Sequence, residues 1–378
     1  MVDAVDKDYK TTVKESLQYL KNIYKMKQKL LIINKSAFGY HVDTYKYCQY
    51  LRKKYDITYI CIEPKEEKIK TLDGVKVIYK TNKPPRILRG SIYLGYCILF
   101  ALFFKGKIFV NFFVGSQYIK KVLFWKKMIL DVRTLGIVPI EEKRREFDAR
   151  LIKTCNYYDH ISIISEGVRD KMHIDNSKTS ILPLGADVIS KNNKKFSQIN
   201  LLYVGTLNGR RIDDTIKGYK LFSEKYPDNK FTYDIIGNGN NNELEKISEL
   251  IGDFKLSDRI CLHGFIPNNK LKPFFDKCNV GVSYIPMTEY YDHQPPTKTY
   301  EYILSGLFTI ATSTHCNKEV INSINGVLIE DNPESFSQAL EYIYLNGNFD
   351  SNNIRNTLLE HTWERIVNNK LIPILEKI

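Results

Sequence analysis

No two cysteines in this chain stand close enough to make a C-x-x-C site. The seven, at positions 48, 61, 97, 155, 261, 278 and 316, are odd in number and widely spaced. That spacing argues against a disulfide framework and a Cys-based zinc site, and for a reducing compartment. Long apolar stretches are also missing. The longest, Ser91–Phe104, has 14 residues, whereas a helix that crosses a bilayer needs about 20. The opening MVDAVDKDYK is polar and charged, so no secretory leader is expected. There is no G-x-G-x-x-G dinucleotide fingerprint, because the residue three after Gly239 is Asn242. No D-x-D metal motif stands at an expected strand end, and Asp213-Asp214 falls inside an expected helix.

What the chain has in quantity is apolar and aromatic material. Its 378 residues are 43% hydrophobic and include 26 Tyr, 19 Phe and 2 Trp. A mainly disordered chain is excluded, and two to three domains are expected at this length. The net charge is +13, and all of the excess lies in one half. Residues 1–200 carry 38 Lys and Arg against 20 Asp and Glu; residues 201–378 carry 18 against 23. Such asymmetry points to an acidic partner for the first half, either nucleic acid or an anionic membrane surface. A lysine-rich face that only meets water is the plainer alternative.

Residues 2–27 have Val13, Leu17, Leu20 and Tyr24 at helical spacing and read as a helical extension. From there the pattern is βα. Short apolar runs, the mark of parallel strands buried on both faces, are expected at 30–34, 57–62, 75–79, 108–114, 128–132, 160–164 and 179–184. A second series is expected at 200–204, 231–236, 259–263, 280–284, 307–311 and 326–329. Helices are expected at 41–54, 212–225, 243–251, 269–277, 298–304, 318–322 and 333–345, with a last one over 355–376. SKNNKKFSQ, residues 190–198, has no periodicity and reads as an interdomain linker. In such sheets ligands bind beyond the carboxyl ends of the strands.

Four strand-end segments could carry chemistry there. The first is Tyr203-Val-Gly205-Thr206-Leu-Asn-Gly209-Arg210-Arg211, a tight turn with two arginines at a helix entrance, where an anion is favoured. The second is Gly237-Asn238-Gly239. The third is His263-Gly264-Phe265-Ile266, whose backbone could hold a flat base. Each of these, taken alone, is equally an ordinary turn. The fourth is the most specific: Pro295-Pro296-Thr297-Lys298-Thr299-Tyr300-Glu301. Thr297 is expected as the N-cap. Free N–H groups and Lys298 would hold a diphosphate. Glu301, one position too far for a capping box, could accept two hydrogen bonds from a vicinal diol such as ribose.

Together and in this order, the four segments resemble the nucleotide-binding domain of the family-4 retaining glycosyltransferases, over about residues 201–329. LLIINKSAFGY, ILDVRT and SIISEGVRDKMHI resemble the acceptor domain more loosely. The resemblance implies an α/β fold of two Rossmann-like, doubly wound parallel-sheet domains facing across a cleft, the GT-B fold. It divides the chain into an extension (1–28), an acceptor-binding domain (29–190), a linker (191–199), a nucleotide-sugar-binding domain (200–350) and a C-terminal helix packing back on the first domain (351–378).

The implied activity is metal-independent hexosyl transfer, with retention, from a nucleotide-diphosphate sugar. No cofactor is implied. The acceptor would be a glycan or lipid-linked glycan, in surface polysaccharide (capsule or exopolysaccharide) assembly. Arg210, Arg211, Lys298 and Glu301 would be the catalytic groups. Gly39, Gly205, Thr206, Gly237, Asn238, Gly239, Phe265, Ile266, His293, Pro296, Thr297, Lys298, Thr299 and Glu301 would contact the donor. Phe38, Tyr40, His41, Asp131, Arg133, Thr134 and Glu166 are the acceptor-side candidates, and His160 is expected to be structural.

Two family features are altered. The first of two glutamates eight apart falls on His293, and the arginine that commonly follows the strand glycine is Thr206. Basic residues flank Ser91–Phe104 and Phe124-Trp125, which suits docking on an anionic membrane; a core helix is the alternative. The expected location is cytoplasmic, peripheral at the inner membrane face. Two rival readings are a nucleotide-sugar 2-epimerase of the same fold and a basic nucleic-acid-binding protein, although no nucleic-acid-reading module is visible. An NAD-dependent enzyme is disfavoured by the missing fingerprint.

Overall fold

The computed structural model describes residues 27–64, 68–81, 83 and 85–378. The helix expected at 2–27 lies outside these residues, apart from Lys27. Two wholly parallel sheets organise the rest. The first has seven strands: β1 (Gln28–Ile33), β2 (Tyr55–Ile62), β3 (Val75–Lys80), β4 (Lys107–Asn111), β5 (Ile129–Val132), β6 (His160–Ile163) and β7 (Thr179–Ile181). Their order is β3-β2-β1-β4-β5-β6-β7. The second has six: β8 (Asn200–Val204), β9 (Thr232–Ile236), β10 (Ile260–Gly264), β11 (Val280–Ser283), β12 (Phe308–Thr312) and β13 (Gly326–Ile329), in the order β10-β9-β8-β11-β12-β13. These are the two doubly wound α/β domains the sequence implies.

Local sequence explains the elements. In β1, Leu30, Leu31, Ile32 and Ile33 are all buried, each contributing about 1.5–3 kcal/mol of transfer free energy. Helix Ile212–Lys225 buries Ile212, Thr215, Ile216, Tyr219 and Phe222, a stripe at helical spacing. Gly218 on that helix lets helix Pro333–Asn346 approach, because a Cβ there would press on Pro333 and Phe336. In each sheet the winding reverses beside the first strand, between β1 and β4 and between β8 and β11. A crevice opens at such a reversal, outside the carboxyl ends of the strands.

The chain from 189 to 199 is pinned to the second domain. Lys194 Nζ donates to the Phe275 carbonyl and to Ser190 Oγ at 3.1 Å, and Asn279 Nδ2 donates to the Lys195 carbonyl at 2.6 Å. The C-terminal segment starts on the second domain, where Arg355 Nε donates to the Leu304 carbonyl at 3.1 Å. It then crosses to the first domain. Trp363, 1% exposed, meets the Tyr47 ring edge-on at 6.0 Å, and Lys54 pairs with Glu376 at 2.7 Å.

Three expectations need correction here. The last helix is not continuous over 355–376. It is broken into Ser351–Asn356, a 3-10 turn, Trp363–Ile366, a π turn and Ile372–Leu375. The break occurs where Thr362 bridges to Ala186 of the first domain. The helix expected at 318–322 lies instead at His315–Lys318, because the Thr314 hydroxyl accepts from the Asn317 N–H and caps it. The helix expected from 269 begins at Lys272, after a 3-10 turn at Asn268–Lys270. No described helix is long and apolar enough to cross a membrane.

Candidate functional site

The glycine turns after β8, β9 and β10 are stitched side by side. The Gly205 N–H donates to the Ile236 carbonyl at 3.0 Å, the Gly237 N–H to the Gly264 carbonyl at 2.9 Å, and the Leu207 N–H to the Asn238 carbonyl at 2.9 Å. Gly237 admits no side chain, since a Cβ would overlap the Gly205 carbonyl oxygen. The three turns thus form one floor. Thr206, Asn238 and Gly239 lie on it, and Tyr203 beneath it bonds the Thr206 carbonyl at 2.6 Å. Phe265 stands on the rim, 69% exposed, with Ile266 half-buried beside it.

Helix Thr297–Leu304 points its N-terminus at this floor. Pro296, and not Thr297, is its N-cap, and no side chain caps it, so its first N–H groups are left for other acceptors. Lys298 Nζ lies 4.0 Å from the centre of the Tyr203 ring and is buried without a hydrogen-bond partner. The Arg210 guanidinium lies 4.2 Å from the Tyr291 ring, and its Nη1 is also buried and unpartnered. Burial, and then the Arg210 charge, hold the Lys298 ammonium well below its usual range, with Glu301 opposing. Glu301 is pushed up to about 8 by burial and by Asp187, with Lys46 and Lys298 opposing. Two basic side chains whose buried nitrogens lack hydrogen-bond partners among the described residues make a receptor for a multiply charged anion.

Three expected site residues are turned elsewhere. Arg211 sits at φ 54° and its guanidinium is held by Asp214 at 2.7 Å and Asp331 at 3.1 Å. Arg210 is therefore the loop arginine aimed at the site. Thr299 is fully buried, its hydroxyl between Ser283 Oγ (2.7 Å) and Asn317 Oδ1 (3.0 Å). Phe38 is buried against Tyr45 and Tyr59 and presents nothing to a ligand. Gly39 faces Ile69, and Tyr40 beside it is exposed.

Two chambers open between the domains. One, of about 330 Å³, lies at the β1/β4 reversal; His41, Asp131, Arg133 and Thr134 meet Pro295 and Thr297 there. Asp131 is buried, accepts from Asn111 (2.9 Å) and Ser162 (2.7 Å), and is pushed up to about 6 by burial against the pull of Arg133. Arg133 donates to Asp43 at 2.7 Å and leaves Nη2 unpartnered. His41, whose Nε2 meets Ser36 Oγ at 3.0 Å, is shifted down by burial. The other chamber, of about 680 Å³, is lined by Glu166, Arg144 and Lys171 of the first domain and by His293 and His315 of the second. The His293 ring lies 4.5 Å from that of His315, tilted by 44°; burial lowers its pKa, and its Nδ1 has no hydrogen-bond partner among the described residues. Gly167 makes room for it, since a Cβ there would overlap that nitrogen. His160 bonds Ser180 Oγ at 2.9 Å, away from both chambers.

The sequence reading missed Tyr203 and Tyr291, the rings under the two cations, and the His315 and Arg144 side chains. Tyr203 had a signal, as the residue two before the strand-end glycine. For the others adjacency in space is the whole signal. Among the described residues, Asp234, Cys261 and His263 bring potential metal-ligand atoms within 4.8 Å of one another. Asp234 there is engaged by His263 at 2.7 Å and Lys277 at 2.8 Å.

Comparison with known proteins agrees with this geometry. Residues 198–346 match the family model described as Glycosyl transferases group 1. No curated protein sequence matches the chain significantly. Among solved structures, a sucrose-phosphate synthase from Thermosynechococcus elongatus is similar over 93% of this chain and 99% of its own, with a TM-score of 0.72 and 15% identity. Anabaena HepE, solved with UDP and glucose, is similar over 93% and 100%, at 0.71 and 10%. The lipopolysaccharide outer core galactosyltransferase WaaB is similar over 93% and 100%, at 0.69 and 14%. At such identities the likeness establishes the fold, which is GT-B.

Proposed function

We propose that this chain, whose second domain matches the group 1 glycosyltransferases, moves a sugar from a nucleoside-diphosphate donor to a glycan or lipid-linked glycan, with retention and without a metal. One observation carries the reading: Lys298 Nζ and Arg210 Nη1, both buried and without a hydrogen-bond partner among the described residues, lie beside the uncapped N-terminus of helix 297–304. The diphosphate would lie there. As the anomeric C–O bond breaks, its electron pair stays with the diphosphate, and the two cations and the helix N–H groups meet the growing charge. Their low solvation raises the strength of that interaction.

Glu301 would take the ribose hydroxyls, and Phe265 and Ile266 would flank the base. The acceptor would enter by the chambers lined by Asp131, Arg133 and Glu166, and His293 would meet the donor sugar in place of the family's glutamate. A cytoplasmic site of action and a place in surface polysaccharide assembly belong to the same proposal.

The test is a thermal-shift panel of UDP, GDP, ADP, CMP and TDP. A ligand at about 100 times its Kd adds roughly 2.7 kcal/mol. A shift with one nucleoside diphosphate that is lost in Glu301→Ala supports the reading and names the donor's nucleotide. A flat panel with folded protein refutes it. A second reading, sugar epimerisation without transfer, gains from the large chamber, which collects His293, His315 and several carboxylates. NMR of the nucleotide sugar incubated with the protein alone would show epimer formation in that case.

A further inference from the structure

We propose that helix Arg86–Phe103 and the turn after helix Gln117–Val122 form a docking face for an anionic lipid bilayer. The helix is amphipathic in an unusual sense. Tyr93, Cys97 and Ala101 are buried in the first domain, yet the opposite side is also apolar: Leu88, Ile92, Leu99, Leu102 and Phe103 are all exposed. The turn adds Phe124 and Trp125, 74% and 57% exposed and packed edge to face at 5.1 Å. Apolar surface of this extent on a water-soluble fold marks an interaction site.

The turn is held in this pose from inside. Lys120, 5% exposed, donates to the Phe124 and Lys126 carbonyls at 2.9 and 2.6 Å and pairs with Asp159 at 2.8 Å. Lys126 Nζ donates to the Phe104 carbonyl at 2.7 Å, which sets the turn against the end of the helix. The aromatic tips therefore stand out on a rigid support.

Charge chooses the occupant. Residues 74–130 contain 11 Lys and Arg and no Asp or Glu. Lys105, Lys121 and Lys127, around the apolar tips, make no ion pair with a carboxylate among the described residues. An apolar face rimmed by exposed cations, with Asp159, the acid beside the turn, already paired to Lys120, matches a surface of anionic headgroups over acyl chains. A second copy of the same face would set cation against cation. The inference does not depend on the transferase reading.

The experiment uses the full chain with phosphatidylcholine vesicles, with and without phosphatidylglycerol. Trp363 is already buried, so a blue shift of tryptophan emission on adding lipid reports Trp125. We expect flotation and a blue shift with anionic vesicles only, weakened by salt. The Lys105→Gln, Lys121→Gln, Lys127→Gln triple variant should partition roughly a hundredfold less, at about 1 kcal/mol per lysine. Leu99→Ser with Phe103→Ser should weaken the blue shift while the thermal response to nucleotide stays as in the parent. Folded protein that ignores anionic vesicles overturns the proposal. So does equal binding to neutral vesicles, or binding unchanged in the triple variant. A dimer that the Leu99→Ser, Phe103→Ser variant splits, without lipid binding, assigns the face to self-association instead.

Discussion

The two domains share one architecture and place their positive charge differently. In the first, lysines and arginines outnumber acids 38 to 20 over residues 1–200, and Lys105, Lys121 and Lys127 are among those exposed to solvent. The second is slightly acidic, yet Lys298 Nζ and Arg210 Nη1 are buried there without hydrogen-bond partners among the described residues. Net charge therefore misleads about where an anion binds. A solvated lysine attracts an anion weakly and through screening salt. A desolvated one lacks a partner and gains most when a phosphate arrives. The same βα repeat thus supports a diffuse surface in one domain and a focused receptor in the other.

The comparison breaks first where the domains share a core. Trp363→Ala removes the indole packed on Tyr47 and Gly185. It should cost about 3–5 kcal/mol and split chemical denaturation into two transitions. A single transition at the parent midpoint would show that the domains do not depend on this contact. Next comes Lys298→Ala. Nucleoside-diphosphate affinity should fall about a hundredfold, for a loss of roughly 2–3 kcal/mol from a charged hydrogen bond. The ligand-free melting temperature should fall little, because the ammonium makes no hydrogen bond and only its contact with the Tyr203 ring is lost. Calorimetric titration and melting together check both halves.

Glu301 sharpens the contrast through pH. Its folded value, about 8, lies above the ordinary 4.5, so between those limits the native state holds a proton that the unfolded chain releases. Stability from this group therefore declines as pH rises from about 5 to 8. Glu301→Gln should melt higher than the parent, with the gap widening over that window by at most about 1.4 kcal/mol per pH unit. A gap independent of pH would mean that the carboxyl is ordinarily solvated. The smallest effect belongs to Arg211→Ala. Its guanidinium is already shared by Asp214 and Asp331, so about 1 kcal/mol of stability and little affinity should be lost. A large loss of nucleotide affinity would return Arg211 to the site.

Much of the frame was legible in the chain. Strand positions follow from short apolar runs, and the glycine turns from their place after those runs. Thr297 shows the limit. It reads as an N-cap, but the Pro-Pro approach starts the helix one residue earlier, so Pro296 takes that place. Arg210 and Arg211 are indistinguishable by type and spacing. A left-handed φ at Arg211 and the carboxylates across the loop send one to the helix and leave the other for the site. Thr299 and Phe38 looked equally exposed to a ligand, and both are consumed by neighbours far away in sequence.

By itself the sequence determined the parallel βα architecture, the order of the glycine turns and the location of the charge excess. Each of these is written in local period and composition, which neighbouring residues decide. Only the tertiary structure decided which cations lose their solvent, that burial and then Asp187 push Glu301 up, and that an apolar helix keeps one face outside. Those outcomes depend on which distant side chains remove water or supply a partner, and period and composition do not encode that distance.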